Sequence, residues 1–433
     1  MDETDPWAAS ALSVRETLRE AVDEATAEGD ATAALATVVG VEGSAYRRPG
    51  AKRVVADGAA AGAATAGRLD GPVADLAEAA LTDGPRCETF DLTGEDDTRA
   101  FGLGCNGVVD VLVEPADASL RPALDRVADG ERVALLTVVG GDRSDADSDG
   151  SAADADAEGD GPVPVGARAL VDEAGAVEAT DARPALPDDL LAALRDRAAA
   201  FAAAGRSDTV EAETDRGTAA VFVDGLEPAP ELLIFGHGGD VRPVARLARD
   251  AGFRVTVAAA RGARGDPERF PAAHDVVATR PSDLADVVSQ PTDTYAVLMS
   301  HGFADDRLAL ESLLDTRVPY LGLMGPRKRF EQMREALADD GVELSPADRD
   351  RVATPVGLDL GGGEPAQIAL SVVGEVLAVS NGRSGGRLTD AEGPVHARSA
   401  SDAAGADAPG GSSGPPSDVD PDDPSDGDPG RTR

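Results

Sequence analysis

Apolar and polar positions along the chain follow two periods. Short apolar runs bounded by glycine turns read as buried strands, and longer stretches in which apolar residues return at helical spacing read as helices. The stretch from Glu231 to Arg261 shows both. "ELLIF" suits a buried parallel strand, "GHGG" a turn that tolerates close backbone approach, "DVRPVARLARDAG" a helix closed by Gly252, and "VTVAAAR" a second strand. This order of elements predicts an α/β unit on a parallel sheet. Nearer the N-terminus the pattern repeats itself. "AALATVVGVEGSAYRRPGAKRVVADG" (33–58) and "VALLTVVGGDRS", resuming after an acidic insertion as "PVPVGARALVDEAG", each give a strand, a loop and a second strand. An internal duplication is the expectation for this region.

Chemistry enters at the glycine turn. Gly236, Gly238 and Gly239 precede a helix start, where free N–H groups and the positive end of the helix dipole favour an anion or phosphate. The stretch departs from a dinucleotide fingerprint in two places. The third glycine position holds Val241, and the second strand ends on Ala258, Ala259 and Ala260 where an acid would grip a ribose.

Composition narrows the classes. A chain of 433 residues, 42% hydrophobic, is long enough for two domains plus unstructured segments. Its formal net charge of −40 disfavours nucleic acid as a partner, and Lys52 and Lys328 are its two lysines, a balance that resembles proteins of salt-loving archaea. At molar salt the Debye length is about 3 Å, so a charged ligand must be held by short-range contacts. No apolar run approaches the roughly 18 residues of a membrane span. The acidic start "MDETDPWAAS" lacks a signal-peptide pattern, and a cytoplasmic location is expected. Residues 142–161 and 384–433 are rich in Asp, Gly, Ser, Ala and Pro, and both are expected to be disordered because they cannot repay ordering entropy.

Several loops carry candidate chemistry. In the first repeat the loop is basic, with Arg47, Arg48, Lys52 and Arg53 around Pro49 and Gly50, whereas the second repeat replaces it with the acidic insertion. In "FGLGCNGVVDVLVEP", Cys105 lies among Gly104, Asn106 and Gly107 just before a β-branched strand; flanking N–H groups there would stabilise a thiolate or an oxyanion. Cys87, in "RCETFDL", reads as a strand residue, and two cysteines make neither a disulfide framework nor a complete metal site. Further on, "TYAVLMSHG" ends a strand in Ser300 and His301, "PYLGLMGPRKRFEQM" runs through Gly325 into Arg327, and "ATPVGLDLGGGEPAQ" carries Asp359 into an apolar helix. Ligands collect at the carboxyl ends of strands in open α/β sheets, so these loops are expected to line one crevice with the Gly236 turn.

Taken in order, "EGSAYRRPGAKRVV", "GLGCNG", "MSHG", "PYLGLMGPRKR" and "PVGLDLGGGEPAQIALSVVGEVLAV" resemble the XdhC/CoxI family, accessory proteins of molybdenum hydroxylases such as xanthine dehydrogenase and carbon monoxide dehydrogenase. The resemblance implies an N-terminal XdhC/CoxI domain over 1–226, a Rossmann-like domain over 227–383 and a tail over 384–433. It also implies molybdenum cofactor (molybdopterin) binding, with help in its sulfuration and insertion. The implied holders are Arg47, Arg48, Lys52, Gly104, Cys105, Gly107, Gly236, Gly238, Gly239, Ser300, His301, Gly325, Arg327 and Asp359, with Cys105 as the metal ligand. The implied partners are an apo molybdenum hydroxylase, a cysteine desulfurase and a second copy of the chain. The sequence departs from the family at Val73, where a cysteine is usual, and at His237, displaced within its glycine turn. Two other classes stay open: a nicotinamide-dependent oxidoreductase using His301 as acid or base, and a regulatory module that binds a nucleotide without catalysis.

Overall fold

The structure is a computed structural model that describes residues 6–43, 45–56, 59–65, 67, 69–92, 107–142, 163–180, 183–214, 217–260 and 265–390. Helix α1 (Ala11–Glu28) starts on Ser10, whose side chain accepts the Ser13 N–H, and ends at Gly29 in the left-handed region. It buries Leu12, Val14, Leu18, Ala21, Val22 and Ala25 along one stripe.

Two five-stranded sheets follow, built alike. The first contains β1 (Ala33–Gly43), β2 (Lys52–Ala56), β3 (Ala59–Gly62), β4 (Arg86–Asp91) and β5 (Gly107–Pro115) in the order β3-β2-β1-β5-β4, with helix α2 (Asp70–Asp83) between β3 and β4. After α3 (Arg121–Ala128), the second contains β6 (Val133–Asp142), β7 (Arg168–Asp172), β8 (Val177–Ala179), β9 (Ser207–Thr214) and β10 (Gly217–Leu226) in the order β8-β7-β6-β10-β9, with α4 (Asp188–Ala204) between β8 and β9. The duplication extends to the register. Leu35 and Thr37 of β1 oppose Glu114 and Leu112 of β5, and Leu135 and Thr137 of β6 oppose Asp224 and Phe222 of β10. Even the β-bulge recurs, at Val39 in one copy and Val139 in the other.

The central strands read as continuous apolar runs because both their faces are covered. Ala34, Ala36 and Val38 pack toward α2, and Ala134, Leu136 and Val138 toward α4. The opposite faces meet each other: Leu35 and Leu135 share one cluster beneath α1 and α3, while Val39, Leu112, Val139 and Phe222 form another on the pseudo-two-fold axis. The β1–β2 and β6–β7 loops close in the same way despite their different lengths. Gly50 donates to the Val38 carbonyl at 2.8 Å, and Gly166 to that of Val138 at 2.9 Å.

The remaining sheet is parallel. Its strands β11 (Glu231–Phe235), β12 (Arg254–Ala259), β13 (Asp275–Ala278), β14 (Thr294–Leu298), β15 (Tyr320–Leu323) and β16 (Val352–Ala353) lie in the order β13-β12-β11-β14-β15-β16. That is the doubly wound Rossmann order, with its reversal between β11 and β14. Helices α5 (Val241–Asp250) and α9 (Pro365–Ser380) cover one face, and α6 (Phe303–Leu314) and α7 (Arg327–Asp339) the other; α8 (Pro346–Asp350) leads into β16. Val241, where the fingerprint has glycine, is fully buried in the helix–sheet core. Polar contacts tie this sheet to the preceding part: the Arg132–Asp293 ion pair at 2.7 Å, and His274 Nε2 at 3.4 Å from a Glu16 carboxylate oxygen. Residues Met1–Gly385 form one unit and Gly386–Arg433 a second. Among the described residues no helix is long and apolar enough to cross a membrane.

Candidate functional site

The reversal of strand order leaves a crevice at the carboxyl ends of β11 and β14, walled by the loops that follow them. Gly236 leaves β11 with its N–H on the Ala258 carbonyl at 3.0 Å; a Cβ there would stand 2.8 Å from the Met299 carbonyl oxygen, so the two loops cross too closely for any other residue. Gly238 is less confined, since its Cβ would meet an Asp240 carboxylate oxygen at 2.2 Å, the end of a side chain that can shift, and Gly239 faces open space. The N–H groups of Gly238 and Gly239 have no acceptor among the described residues, and they lie just before the start of α5. This is a backbone cradle for an anion.

Across the crevice, His301 holds φ at 63°, the left-handed region that a non-glycine residue adopts at a cost. Its Nε2 lies 2.7 Å from Oδ2 of Asp240, so one hydrogen bond joins the β11 and β14 loops while the ring stays half-exposed. Ser300 lies behind it. Its N–H and hydroxyl both donate to Oδ1 of Asp306, at 3.1 and 2.5 Å, and Arg329 from α7 takes the other oxygen at 2.7 Å. Burial pushes the Asp306 carboxyl up from its ordinary range, against the hydrogen bonds from Ser300 and the nearby Arg329 charge. Ser300, Asp306 and Arg329 thereby fix the loop that presents His301. Gly325, at φ 125°, turns β15 toward α7, whose first residue Arg327 is exposed; Asp359 is exposed in the loop between β16 and α9. Arg269 adds a hydrogen bond to the His237 carbonyl at 3.0 Å.

Of the residues singled out from the sequence, Gly236, Gly238, Gly239, Ser300, His301, Gly325, Arg327 and Asp359 therefore follow strand ends on one edge of the parallel sheet. The basic loop stands elsewhere. Arg47 and Arg48 are exposed between β1 and β2, Lys52 is ion-paired with Asp224 at 2.6 Å, and Arg53 is buried with Asp70 at 3.2 Å. Arg47 and Lys52 belong to a cavity of about 330 Å³ whose walls include Leu35, Thr37, Leu112, Glu114 and their counterparts in the second repeat, and no crevice residue. Gly107 begins β5 and is buried; Gly104 and Cys105 lie outside the described residues. Val73 fills α2 at 1% exposure, a core position. Cys87 sits in β4 against the axial cluster of Val39, Leu112, Val139 and Phe222, its thiol pushed up to about 11 by burial and by Asp110 and Glu88. Among the described residues no group of three or more His, Cys, Asp or Glu is placed to hold a metal ion.

Sequence reasoning missed Asp240 and Asp306. An acid at a helix start, four residues past the first glycine, was the available signal for Asp240; nothing local marks Asp306, which Arg329 of the basic run after Gly325 meets across two loops.

Residues 232–376 match the XdhC Rossmann domain, and residues 26–91 the XdhC and CoxI family. A protein of Bacillus subtilis (strain 168), named as a probable subunit of xanthine dehydrogenase, is 26% identical over 361 residues, covering 82% of this chain and 95% of its own length. The uncharacterized protein YqeB of Escherichia coli (strain K12) is 28% identical over 173 residues, 40% of this chain and 31% of that protein. A crystal structure described as a xanthine dehydrogenase from Bacillus halodurans superposes with a TM-score of 0.62 at 24% identity, covering 87% of this chain and 98% of that one. At that identity it speaks for the fold alone.

Proposed function

This chain belongs to the XdhC and CoxI family, and from that premise we propose that it is an accessory factor in the maturation of a molybdenum hydroxylase of the xanthine dehydrogenase type. Its cargo in this reading is the molybdenum cofactor, held in the crevice of the parallel sheet. One observation carries the proposal: the unpartnered N–H groups of Gly238 and Gly239, at the start of α5, face the His301 loop where the strand order reverses. Molybdopterin carries a terminal phosphate, which such a cradle fits. It needs no carboxylate at the end of β12, and that strand closes on Ala258 and Ala259.

The chain's own residues then divide the work. Gly238, Gly239 and the start of α7 at Arg327 hold the anionic end, Gly236 and Gly325 let the loops approach, and Asp240 fixes the His301 ring so that its exposed edge meets the bound group. Asp359 closes the far side. Arg47, Arg48, Lys52 and Gly107 lie in the N-terminal repeats, outside the crevice, and hold no part of the cargo in this reading. Cys105 is assigned, on its sequence setting, as the thiolate that ligates molybdenum or takes sulfur from a cysteine desulfurase. The apo hydroxylase is the recipient, and a homodimer is the assembly this reading adopts.

Purification from a cofactor-producing host, followed by oxidation and fluorescence detection of released pterin, tests the proposal. Pterin should copurify, and His301→Ala together with Gly239→Asp should reduce it. A preparation that never carries pterin overturns the reading. Tight binding of reduced nicotinamide in the same preparation would replace it with the oxidoreductase alternative.

A further inference from the structure

The cavity between the two N-terminal sheets has no part in the crevice or its proposed cargo. It lies on the pseudo-two-fold axis, so its walls come in related pairs, and one pair is unusual. Thr37 and Thr137 are each 3% exposed, occupy equivalent positions in the two repeats, and neither hydroxyl has a hydrogen-bond partner among the described residues. Both residues line the cavity, and neither hydroxyl oxygen is sealed from it. Two open hydroxyls at symmetry-related positions, both in the wall of one cavity, offer hydrogen bonds to a molecule bound there.

The charges lining the same space are unequal in how they are engaged. The wall carboxylates are taken: Asp224 by Lys52 at 2.6 Å, Glu227 by Arg132 at 2.7 Å, and Glu114 by Arg168. Arg15 and Arg47 also line the cavity, and neither has a carboxylate within 4.0 Å among the described residues. At about 330 Å³ the space falls within the range of small-molecule sites, roughly 300–1,000 Å³.

We propose that this cavity binds a small organic acid, with its apolar body between the two sheets, its anionic group on Arg15 and Arg47, and its remaining polar atoms on the hydroxyls of Thr37 and Thr137. Because the two repeats contribute matching walls, the ligand bridges them and favours their closed packing. The asymmetry lies in the cations: α1, 18 residues long against the 8 of its counterpart α3, carries Arg15, and the basic loop of the first repeat is acidic in the second, so the acid enters in one orientation.

Two probes of one shape test this on the full chain: 1-anilinonaphthalene-8-sulfonate, an aromatic body with a sulfonate, and N-phenyl-1-naphthylamine, the same body without charge. The sulfonate should bind at a single site. Arg15→Gln should weaken it by about tenfold and leave the neutral probe within about twofold. The double variant Thr37→Val, Thr137→Val keeps the shape of the wall, so it should melt no lower than the parent yet weaken the sulfonate by about threefold. Thr137→Met should block both probes. Equal affinity of the sulfonate for Arg15→Gln and the parent, parental binding of both probes by the folded double valine variant, or the lack of a stoichiometric site in the parent each overturns the proposal.

Discussion

Replacing Arg168 by Met should destabilise the first part of the chain far more than the equivalent change at Lys52. The two residues occupy matching places in β7 and β2, and each crosses the axis to a carboxylate of the other repeat: Arg168 to Glu114 and Lys52 to Asp224. They differ in burial. The Arg168 and Glu114 side chains are 0% and 4% exposed, against 21% and 7% for Lys52 and Asp224. Arg168→Met strands a buried carboxylate and takes a hydrogen bond from the Ser119 hydroxyl, which its Nη1 reaches at 2.9 Å. The expected cost is about 3–5 kcal/mol. Lys52→Met leaves Asp224 with the Ser207 hydroxyl at 2.7 Å and some access to water, so about 1–2 kcal/mol is expected. Glu114→Leu combined with Arg168→Met removes both charges from an apolar setting and should recover most of the loss, to within about 1 kcal/mol of the parent. Urea unfolding followed by the fluorescence of Trp7, the single tryptophan, reports on this part of the chain. The Arg168→Met penalty should persist into molar salt while that of Lys52→Met shrinks, since buried pairs are screened little. An Arg168→Met variant within about 1 kcal/mol of the parent, or a double variant as unstable as the single, would refute the reasoning.

Three further outcomes follow from the geometry. Cys87, raised from 9.0 to about 11 mainly by burial, should be alkylated by iodoacetamide about a hundredfold more slowly at pH 8 in the folded chain than in urea. Because its folded value is the higher, the folded state favours the thiol, and this contribution to stability falls as pH rises from 9.0 toward 11; labelling at the unfolded rate at pH 8 would contradict it. His301→Gly should relieve the backbone at φ 63° and cost less than about 1 kcal/mol in melting experiments, yet lose pterin; retention equal to the parent would remove His301 from the site. Truncation after Gly385 should leave melting and pterin content unchanged, because the removed residues are poor in large apolar side chains, and a fall of several degrees would show that they dock.

Much of the fold was legible from local signals. The apolar runs of β1, β6, β11 and β14 declare strands, Gly29 and Gly252 mark where α1 and α5 stop, and the repeated strand–loop–strand pattern of 33–58 and 133–175 announces the duplication across an insertion of unrelated composition. These features are set by period and by backbone permission, which neighbouring residues decide among themselves. Tertiary structure decided what depends on residues far apart. Nothing near Lys52 in the chain says that Asp224 will neutralise it, and nothing near Arg168 points to Glu114, 54 residues earlier; the basic loop therefore read as a cationic cluster open to an anion when Lys52 and Arg53 are spent on ion pairs. The order β3-β2-β1-β5-β4 and its repetition, the cavity on the axis between them, and the meeting of Asp240 with His301 at 61 residues' separation all arise when sheets bury their apolar faces together. The hydrophobic pattern states which face each strand must hide, and only the packing of one hidden face against another settles which polar groups are carried along with it and whom they meet.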